Sequence, residues 1–563
     1  ELLNASGASH LFMDKGENRL YMVRSSDNAV EVMDGDTLET LGLIPTAWFP
    51  TDVAKRGDVL AITNGKGYGR GASEEFGEDF LSGGTLTVVD TASLDLEAAT
   101  LAAQENVRLP SQAFDFDCPE GETFPVPPRF GMQSPLEHIV LVVRENQTYD
   151  AMLGELPDPD SDGHAEFSRW GAEATPNLFA LVNQFAHHDN FYVEGDNSTR
   201  GHIWLTQGMI SHYMERVGAR SQGSSMFGDV ETVSEVGQPD WGNFFTHLLE
   251  LGVSFRIFGE AAALYGGAET PDGRVEQVAD HVDFAFPGLF YNMNIQDEEK
   301  MEYVISYYEA EGLPQFSYIL IPNDHTFGLR SDKPTPESMV SDNDYATGLL
   351  IDYLSHRDDW GKTAVFIVED DPQGGSDHID RNRSIMVVAS AWARRGHTSH
   401  VLTSNPSLFK TFELILGIPP MHRYDAVATP LWDAFTTEPD LTPFEVRSRQ
   451  IPDQLNSEVD REKSSARGLE VARRWSEEID FGGPDRCEDL QDIVAVARLG
   501  GPPPGSRLDR VLRGELPDTG PDVEEEELEE VEMYDRAWHI ARHYLRRHPE
   551  QRALAGPGDP WSK

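Results

Sequence analysis

Apolar residues in the middle of the chain form short runs that alternate with longer segments of helical periodicity. The runs that predict buried strands are HIVLVV (138–143), VSFRIF (253–258), FSYILIP (316–322), TAVFIVE (363–369) and SIMVVAS (384–390). Helices are predicted between them at TPNLFALVNQFA (175–186), WGNFFTHLLELG (241–252), DYATGLLIDYLSH (344–356) and NPSLFKTFELILG (405–417). This alternation is typical of an α/β sandwich with a mostly parallel sheet. We expect that fold over residues 135–450, with its site at the carboxyl ends of the strands.

The first hundred residues contain short segments in which apolar and polar residues alternate, which is typical of β-strands. RLYMV (19–23) is similar to VLAIT (59–63), and AVEVMD (29–34) is similar to TLTVVD (85–90), so a β-unit recurs. The two units resemble the YVTN-type β-propeller repeat. Because a closed propeller needs about four blades, we expect residues 1–110 to be the C-terminal blades of an incomplete β-propeller. The remaining blades would lie on an upstream segment or a separate chain. The alternative is a small β-domain that packs on the α/β domain.

Two segments differ from both units in composition. Residues 111–134 contain several prolines and predict a linker. Residues 451–563 form a charged helical extension, in which VEEEELEEVEMYDRAWHIARHYLRRH (523–548) begins acidic and ends basic. That order complements the helix dipole. We interpret this segment as a solvated surface helix, because runs of like charge usually face water.

The chain carries a formal net charge of -52. Such a charge argues against nucleic acid or an anionic membrane as the main partner. No apolar run approaches the length of a transmembrane segment. Two cysteines, Cys118 and Cys487, supply neither a disulfide framework nor a zinc site, and they could form one bridge or remain free thiols. The first residue is Glu1 and not Met, so we expect a processed N-terminus and a secreted or periplasmic protein.

Polar clusters follow the predicted strands. Glu145 and Asn146 come directly after the first strand, where two oxygen donors suit a hard metal ion or simply form a turn. In NSTRGH (197–202), Ser198 precedes a helical segment. A hydroxyl there is either an N-cap or a nucleophile held where the helix N-terminus attracts phosphate. Asp324 and His325 follow a third strand.

The strongest cluster is VEDDPQGGSDHIDRNRS (368–384), which combines five carboxylates with one histidine and two arginines. Repulsion and desolvation penalise such crowding unless a cation or a substrate offsets it. Asp370 and Asp371 are adjacent, so one could bind a metal ion while the other orients it or binds a second ion. Together the clusters supply a hydroxyl nucleophile, oxygen ligands, imidazoles and arginines, which is the chemistry of metal-assisted phosphoryl transfer. A calcium ion bound only for stability is a further possibility.

The segment IVLVVRENQTYDAMLG (139–154) resembles the opening motif of the phosphoesterase family that contains bacterial non-specific phospholipases C and acid phosphatases. That family belongs to the alkaline phosphatase superfamily, and the branch fused to a YVTN-type propeller is the most similar. EDDPQGGSDHIDRNRS (369–384) extends the resemblance. It implies metal binding by Glu145, Asn146, Asp370 and Asp371. It implies catalytic roles for Ser198, His325 and His378. We assign substrate binding to His202, Arg200, Asp324 and Arg383.

The resemblance implies a metal-dependent phosphoesterase that hydrolyses a phosphomonoester or phosphodiester through a phosphoserine intermediate. The substrate would be a small phosphate ester or a phospholipid headgroup, and the ion Ca, Mg, Mn or Zn. Asn382 stands where the branch favours histidine, and Arg200 replaces an acidic residue, so we expect one well-defined metal site. The alternative is a catalytically inactive protein of the same fold that acts as an extracellular binding or structural module.

Overall fold

The computed structural model describes residues 8–69, 84–106, 124–195, 197–211, 215, 242–264, 277–372, 375–461, 463–479, 489–521 and 528–548. Both cysteines, Cys118 and Cys487, lie outside the described residues, as does most of the predicted linker.

Two antiparallel sheets form the N-terminal part. The first contains β1 (Ala8–Asp14), β2 (Arg19–Arg24), β3 (Ala29–Asp34) and β4 (Thr40–Pro45) in that order. The second contains β5 (Trp48–Arg56), β6 (Val59–Gly67) and β7 (Thr85–Asp90). A short 3-10 helix, Ser25–Asp27, and a helix, Leu96–Asn106, accompany them.

The predicted repeat has a structural counterpart in these sheets. AVEVMD is β3 and pairs with β2, while TLTVVD is β7 and pairs with β6 in the same antiparallel way. Alternate residues of the two sheets meet in one small apolar core: Tyr21, Val23, Val30, Val32, Ile44, Val53, Leu60 and Ile62. The sheets are compatible with propeller blades, but the described residues form no closed ring. The incomplete propeller therefore stays a prediction.

An eight-stranded mixed sheet is the centre of the molecule. Its strands are β8 (His138–Arg144), β9 (Ala186–Tyr192), β10 (Phe255–Phe258), β11 (Phe316–Leu320), β12 (Thr363–Glu369), β13 (Arg383–Ser390), β14 (His397–Ser399) and β15 (Thr403–Ser404). Their order is β10-β11-β8-β12-β13-β9-β14, with β15 beside β9. Only β13 runs antiparallel to its neighbours. This is the α/β fold with a mostly parallel sheet that the sequence predicts.

Helices cover both faces of this sheet. In β10, Phe255 meets Phe245 of one helix at 5.8 Å, whereas Phe258, three residues later, meets Tyr308 of another helix at 6.2 Å between ring centroids. Successive strand residues point to opposite faces, so these contacts belong to opposite layers. The helices of this unit are Tyr149–Leu153, Pro176–Gln184, Ser198–Gln207, Phe244–Glu250, Asp297–Glu311, Pro336–Ser355, Asn405–Leu416 and Arg423–Val427. Its 3-10 helices are Ala165–Phe167, Ala262–Leu264, Ala279–His281, Asn323–His325, Trp360–Lys362, Trp432–Ala434 and Asn456–Glu458.

The C-terminal extension is helical, as predicted, and it packs on the α/β unit. Its helices are Ala466–Glu478, Leu490–Leu499, Arg507–Arg513 and Leu528–Arg547. In the last helix, Trp538 contacts Phe290 at 4.8 Å and Tyr544 contacts Phe284 at 5.1 Å between ring centroids. This helix therefore buries an apolar face and is not the fully solvated helix that its charge suggests.

The N-terminal sheets also contact the α/β unit, where Arg423 pairs with Asp27 at 2.7 Å. The division at residues 110, 134 and 450 stays a prediction. Within the described part of the chain, no helix combines the length and the apolar character needed to cross a membrane.

Candidate active site

The carboxyl ends of β8 and β12 bring together the predicted metal ligands. These strands are parallel neighbours in matching register, so Glu145 and Asn146 leave the sheet beside Asp370 and Asp371. The backbone N–H of Asn146 donates to Asp370 Oδ1 at 3.2 Å. The side-chain Nδ2 of Asn146 lies 3.1 Å from each carboxylate oxygen of Asp371. All four side chains are fully buried. Asn146 has a φ of 65°, a left-handed conformation that asparagine tolerates better than most residues.

Ser198 reaches the same place from the N-terminus of its helix. Asn197, not Ser198, is the N-cap, because Asn197 Oδ1 accepts the backbone N–H of Arg200 at 3.1 Å. The Ser198 hydroxyl accepts a hydrogen bond from Asn146 Nδ2 at 2.9 Å and donates to Glu145 Oε2 at 3.3 Å. The interpretation of Ser198 as a simple cap is therefore wrong.

Gly201 lets this helix approach the β12 end closely. A Cβ at Gly201 would lie 2.5 Å from the carbonyl oxygen of Asp370, which is much closer than van der Waals contact. Any larger residue would push the helix away. The absence of a side chain thus sets the distance from Asp370 to Ser198 and His202 on the same helix.

Several buried polar atoms converge here without ordinary hydrogen bonds in the described structure: Glu145 Oε1, Asn146 Oδ1, His202 Nε2 and Asp370 Oδ2. Ligand atoms from Glu145, His202 and Asp370 all lie within 4.8 Å of one another. Unsatisfied buried carboxylates are costly, and burial raises the pKa of both Glu145 and Asp370, the latter further because of Asp371. Carboxylate, amide and imidazole donors in one buried cluster fit a divalent cation.

His202, assigned to substrate binding from the sequence, lies among these donors instead of at an open surface. Its Nε2 is 3.1 Å from Glu145 Oε1 and 3.9 Å from Asp370 Oδ2, and its Nδ1 is 2.9 Å from Glu260 Oε2. Burial by itself lowers the pKa of His202, but Glu260 and Glu145 together raise that pKa well above its usual value. Glu260 is not among the site residues predicted from the sequence. It lies just after β10, at a strand end like the other site residues.

Asp324 and His325 lie behind the site. Asp324 Oδ1 accepts the Glu145 amide at 3.0 Å, and Asp324 Oδ2 pairs with Arg144 at 3.1 Å. Burial raises the pKa of Asp324 to about 7, against the opposing effect of Arg144. His325 is buried with Nδ1 3.0 Å from the Thr326 carbonyl, and burial lowers its pKa to about 4. Substrate binding by Asp324 and catalysis by His325 stay predictions.

His378 and Arg383 belong to a second charged group with Asp150 and Asp377. His378 Nδ1 lies 2.7 Å from Asp150, whose other oxygen accepts from Arg383 at 3.0 Å. Arg383 also donates to Asp377 at 3.0 Å. Asp150, Asp377 and His378 have the spacing of a metal cluster, but the buried guanidinium of Arg383 already pairs with both carboxylates. Catalysis by His378 and substrate binding by Arg383 stay predictions.

Arg200 and Asn382 are the two positions at which the sequence departs from the motifs of the family that it resembles. Arg200 is buried on the Ser198 helix, with 3% of its surface exposed. Asn382 donates through Nδ2 to the carbonyl groups of Val193 and Gly195 at 2.9 and 3.2 Å. Asn382 therefore holds the backbone that leads from β9 to Ser198.

With this geometry in place, the chain can be compared with known proteins. The model of the Phosphoesterase family matches residues 159–419, nearly half of the chain. The matched segment contains Ser198, His202, Asp370 and Asp371, whereas Glu145 and Asn146 precede it. The match supports the phosphoesterase family and, with it, a phosphoester hydrolase. A search of curated proteins found no match.

Solved structures show distant similarity. An alkaline phosphatase superfamily protein from Vibrio parahaemolyticus is 16% identical, with 55% of this chain and 74% of that chain covered and a TM-score of 0.36. Murine ectonucleotide pyrophosphatase/phosphodiesterase 5 is 12% identical, with 53% and 100% covered and a TM-score of 0.33. A lipoteichoic acid synthase from Listeria monocytogenes is 14% identical, with 58% and 82% covered and a TM-score of 0.30. TM-scores this low carry no argument about this chain.

Proposed function

We propose that this chain hydrolyses a phosphomonoester or phosphodiester through a serine nucleophile, Ser198, at an alkaline-phosphatase-like site. The observation that carries the proposal is the position of the Ser198 hydroxyl. It lies at a helix N-terminus, within hydrogen-bonding distance of Asn146 and Glu145, at the strand edge where buried carboxylates crowd together. The family match over Ser198, Asp370 and Asp371 supports the same reaction class.

The residues present fit a divalent metal ion, with Glu145, Asn146, Asp370 and Asp371 as the proposed ligands. The ion would favour the alkoxide form of the serine and offset charge on the phosphoryl oxygens. The proposed ion is Ca, Mg, Mn or Zn.

The protein groups prepare Ser198 for attack. Asn146 Nδ2 donates to the Ser198 oxygen, which fixes the direction of that oxygen. Glu145 Oε2 lies 3.3 Å away and accepts the hydroxyl proton in a hydrogen bond, so Glu145 is placed to take that proton. Attack of the serine oxygen forms the serine O–P bond and breaks the ester P–O bond, and the leaving alkoxide takes up the proton that Ser198 gave up and departs as the alcohol. Water then breaks the serine O–P bond, which releases the phosphate product and returns the proton to the serine hydroxyl. The positive end of the Ser198 helix favours the phosphoryl group at this position.

The substrate we propose is a small phosphate ester or a phospholipid headgroup, handled by a secreted or periplasmic protein. The upstream propeller segment remains part of the proposal as a partner of residues 8–106.

The experiment measures metal content and hydrolysis of an aryl phosphomonoester and an aryl phosphodiester by the purified chain. Ser198→Ala should retain metal and fold but lose at least about 100-fold in kcat, since a nucleophile is removed. Ser390→Ala is the matched control. It removes a buried hydroxyl that donates to the Thr363 carbonyl at 2.8 Å, at the opposite edge of the sheet. Full activity in Ser198→Ala, or no hydrolysis by the metal-loaded wild type on either ester, would contradict the proposal. The latter result would favour the inactive binding module.

A further inference from the structure

Glu260 is a buried carboxylate that packs against the site from a different strand. It follows β10 and has 1% of its surface exposed. Its Oε1 accepts the Ala262 amide at 2.7 Å, and its Oε2 lies 2.9 Å from His202 Nδ1. Both oxygens are thus engaged, and the carboxylate has little freedom to turn. Glu260 therefore holds one nitrogen of the His202 ring in place.

The other ring nitrogen points at the carboxylates of the site. His202 Nε2 is 3.1 Å from Glu145 Oε1 and 3.9 Å from Asp370 Oδ2. His202 has no exposed surface, so a substrate could not reach the ring without rearrangement. The nitrogen instead faces the space that the three donors share.

An ion pair between His202 and the carboxylates explains this geometry less well than a bound cation does. Glu145, Glu260 and Asp370 carry three formal negative charges around one imidazole. A single imidazolium offsets one of them, and Asp370 Oδ2 still has no hydrogen bond within the described structure. A cation bound between Nε2 and the carboxylates would use Glu145 Oε1 and Asp370 Oδ2 as ligands, and Glu260 would hold the other ring nitrogen. Histidine ligands in metal sites commonly donate their second nitrogen to a carboxylate in this way.

We propose that Glu260 is a positioning residue that holds His202 as a nitrogen ligand of the metal ion, beside Glu145 and Asp370. The nitrogen ligand makes the site selective for borderline dications such as Zn²⁺ or Co²⁺ over Ca²⁺ and Mg²⁺. This inference rests on the proposed function, because it assumes that the ion of that function binds at this cluster.

The test titrates the chelator-treated full chain with Zn²⁺ and separately with Ca²⁺, using calorimetry. Glu260→Gln should weaken Zn²⁺ binding about 10–100-fold, the usual effect of losing a carboxylate that orients a ligand, and should change Ca²⁺ binding much less. His202→Gln should lower Zn²⁺ affinity at least as much. With Co²⁺, the visible absorption spectrum of the wild type should change in both variants, because the spectrum reports the ligand set.

Two controls separate the loss of the proposed nitrogen ligand from a general loss of metal binding or of folding. His378→Gln removes a histidine from the second charged group and should leave the Zn²⁺ dissociation constant unchanged. Glu260 also accepts the Ala262 amide, so Glu260→Gln could weaken the fold. His202→Gln leaves that hydrogen bond intact and reports on the nitrogen ligand by itself.

Wild-type Zn²⁺ affinity and an unchanged Co²⁺ spectrum in both variants would overturn the inference. If such variants also retained metal-dependent hydrolysis, the proposed function would stand without it. Loss of Zn²⁺ affinity in His378→Gln alone would move the ion to the second group and refute the assignment to His202. A wild type that hydrolyses esters but binds none of these ions would refute the inference and the metal dependence, and leave the serine chemistry in place.

Discussion

Replacement of Gly201 by alanine tests the geometry of the site with a single methyl group. The new Cβ would lie 2.5 Å from the Asp370 carbonyl oxygen and 2.8 Å from its carbonyl carbon, whereas ordinary contact begins near 3.4 Å. Relief of the contact requires a displacement of about 0.9 Å between the helix and the β12 end, from the difference of these distances. Both partners are backbone, so no side-chain rotation can absorb the displacement.

Two opposing effects set the change in stability. Alanine is a better helix former than glycine by about 0.8–1.0 kcal/mol, while overpacking a close contact typically costs about 1–3 kcal/mol. We therefore expect a net loss of about 0–2 kcal/mol in the free energy of unfolding. The larger effect should be on activity. A misplacement of about 1 Å can reduce rate about 100-fold, and here it separates Ser198 and His202 from Asp370.

The assay compares kcat for an aryl phosphoester and the melting temperature in wild type, Gly201→Ala and Gly501→Ala. Gly501 is the matched control, because a Cβ there meets no atom within 4 Å. Gly201→Ala should lose about 10–100-fold in kcat with a small fall in melting temperature, and Gly501→Ala should match the wild type. A Gly201→Ala protein with wild-type kcat and a raised melting temperature would refute the reasoning, since helix propensity would then act without any clash.

Two further predictions address the surroundings of the site. Asn382→Ala removes the hydrogen bonds to the carbonyl groups of Val193 and Gly195. The variant should have a severalfold lower kcat and an unchanged Zn²⁺ affinity in calorimetry. A loss of Zn²⁺ affinity would mean that Asn382 acts at the ion. The second prediction concerns Glu337, which pairs with Arg461 at 2.8 Å. Burial by itself raises the pKa of Glu337, but Arg461 lowers that pKa below its usual value. A depressed folded-state pKa stabilises the protein above the unfolded value of about 4.3 and loses that effect as pH falls through the folded value. Glu337→Gln should therefore cost about 1–3 kcal/mol at pH 7, and its difference from wild type in urea unfolding should shrink below about pH 4; a difference independent of pH would contradict the pairing.

The sequence predicts those parts of the fold whose buried positions are apolar. TAVFIVE coincides with β12 residue for residue, because every position of that strand is buried and its five central residues form an uninterrupted apolar run. β9 is not predicted, since its sequence AHHDNFY buries two histidines and an aspartate. The helix Pro336–Ser355 begins eight residues before its predicted start for the same reason. Its first half buries Asp342, Asn343 and Asp344, which bind neighbouring backbone and side chains, and no hydrophobic period marks them.

The part of the site that directly follows the strands could be predicted from the sequence. The strand assignment by itself places Glu145, Asn146, Asp370 and Asp371 at one edge of the sheet, because parallel strands end there. The structure adds that β8 and β12 are neighbours. The pairing of Glu260 with His202 depends on β10 lying at the far end of the sheet and on the helix that carries His202. Neither the strand order nor the approach of that helix can be derived from local patterns. His378 shares a motif with Asp370 but turns to Asp150, because Asp150 and Arg383 hold it there.

The C-terminal extension contributes to the site through the loop that carries Asn146. Gln491 Nε2 donates to the Asn146 carbonyl at 3.3 Å, and the other Gln491 side-chain atom binds the guanidinium of Arg169. Asn146 has a left-handed backbone, a conformation that persists only where its surroundings enforce it. The nearly complete burial of Gln491 indicates that the helix Leu490–Leu499 is docked and not loosely attached. An extension whose charge predicts a solvated surface helix thus helps to hold Asn146, whose side chain joins Ser198 to Asp371.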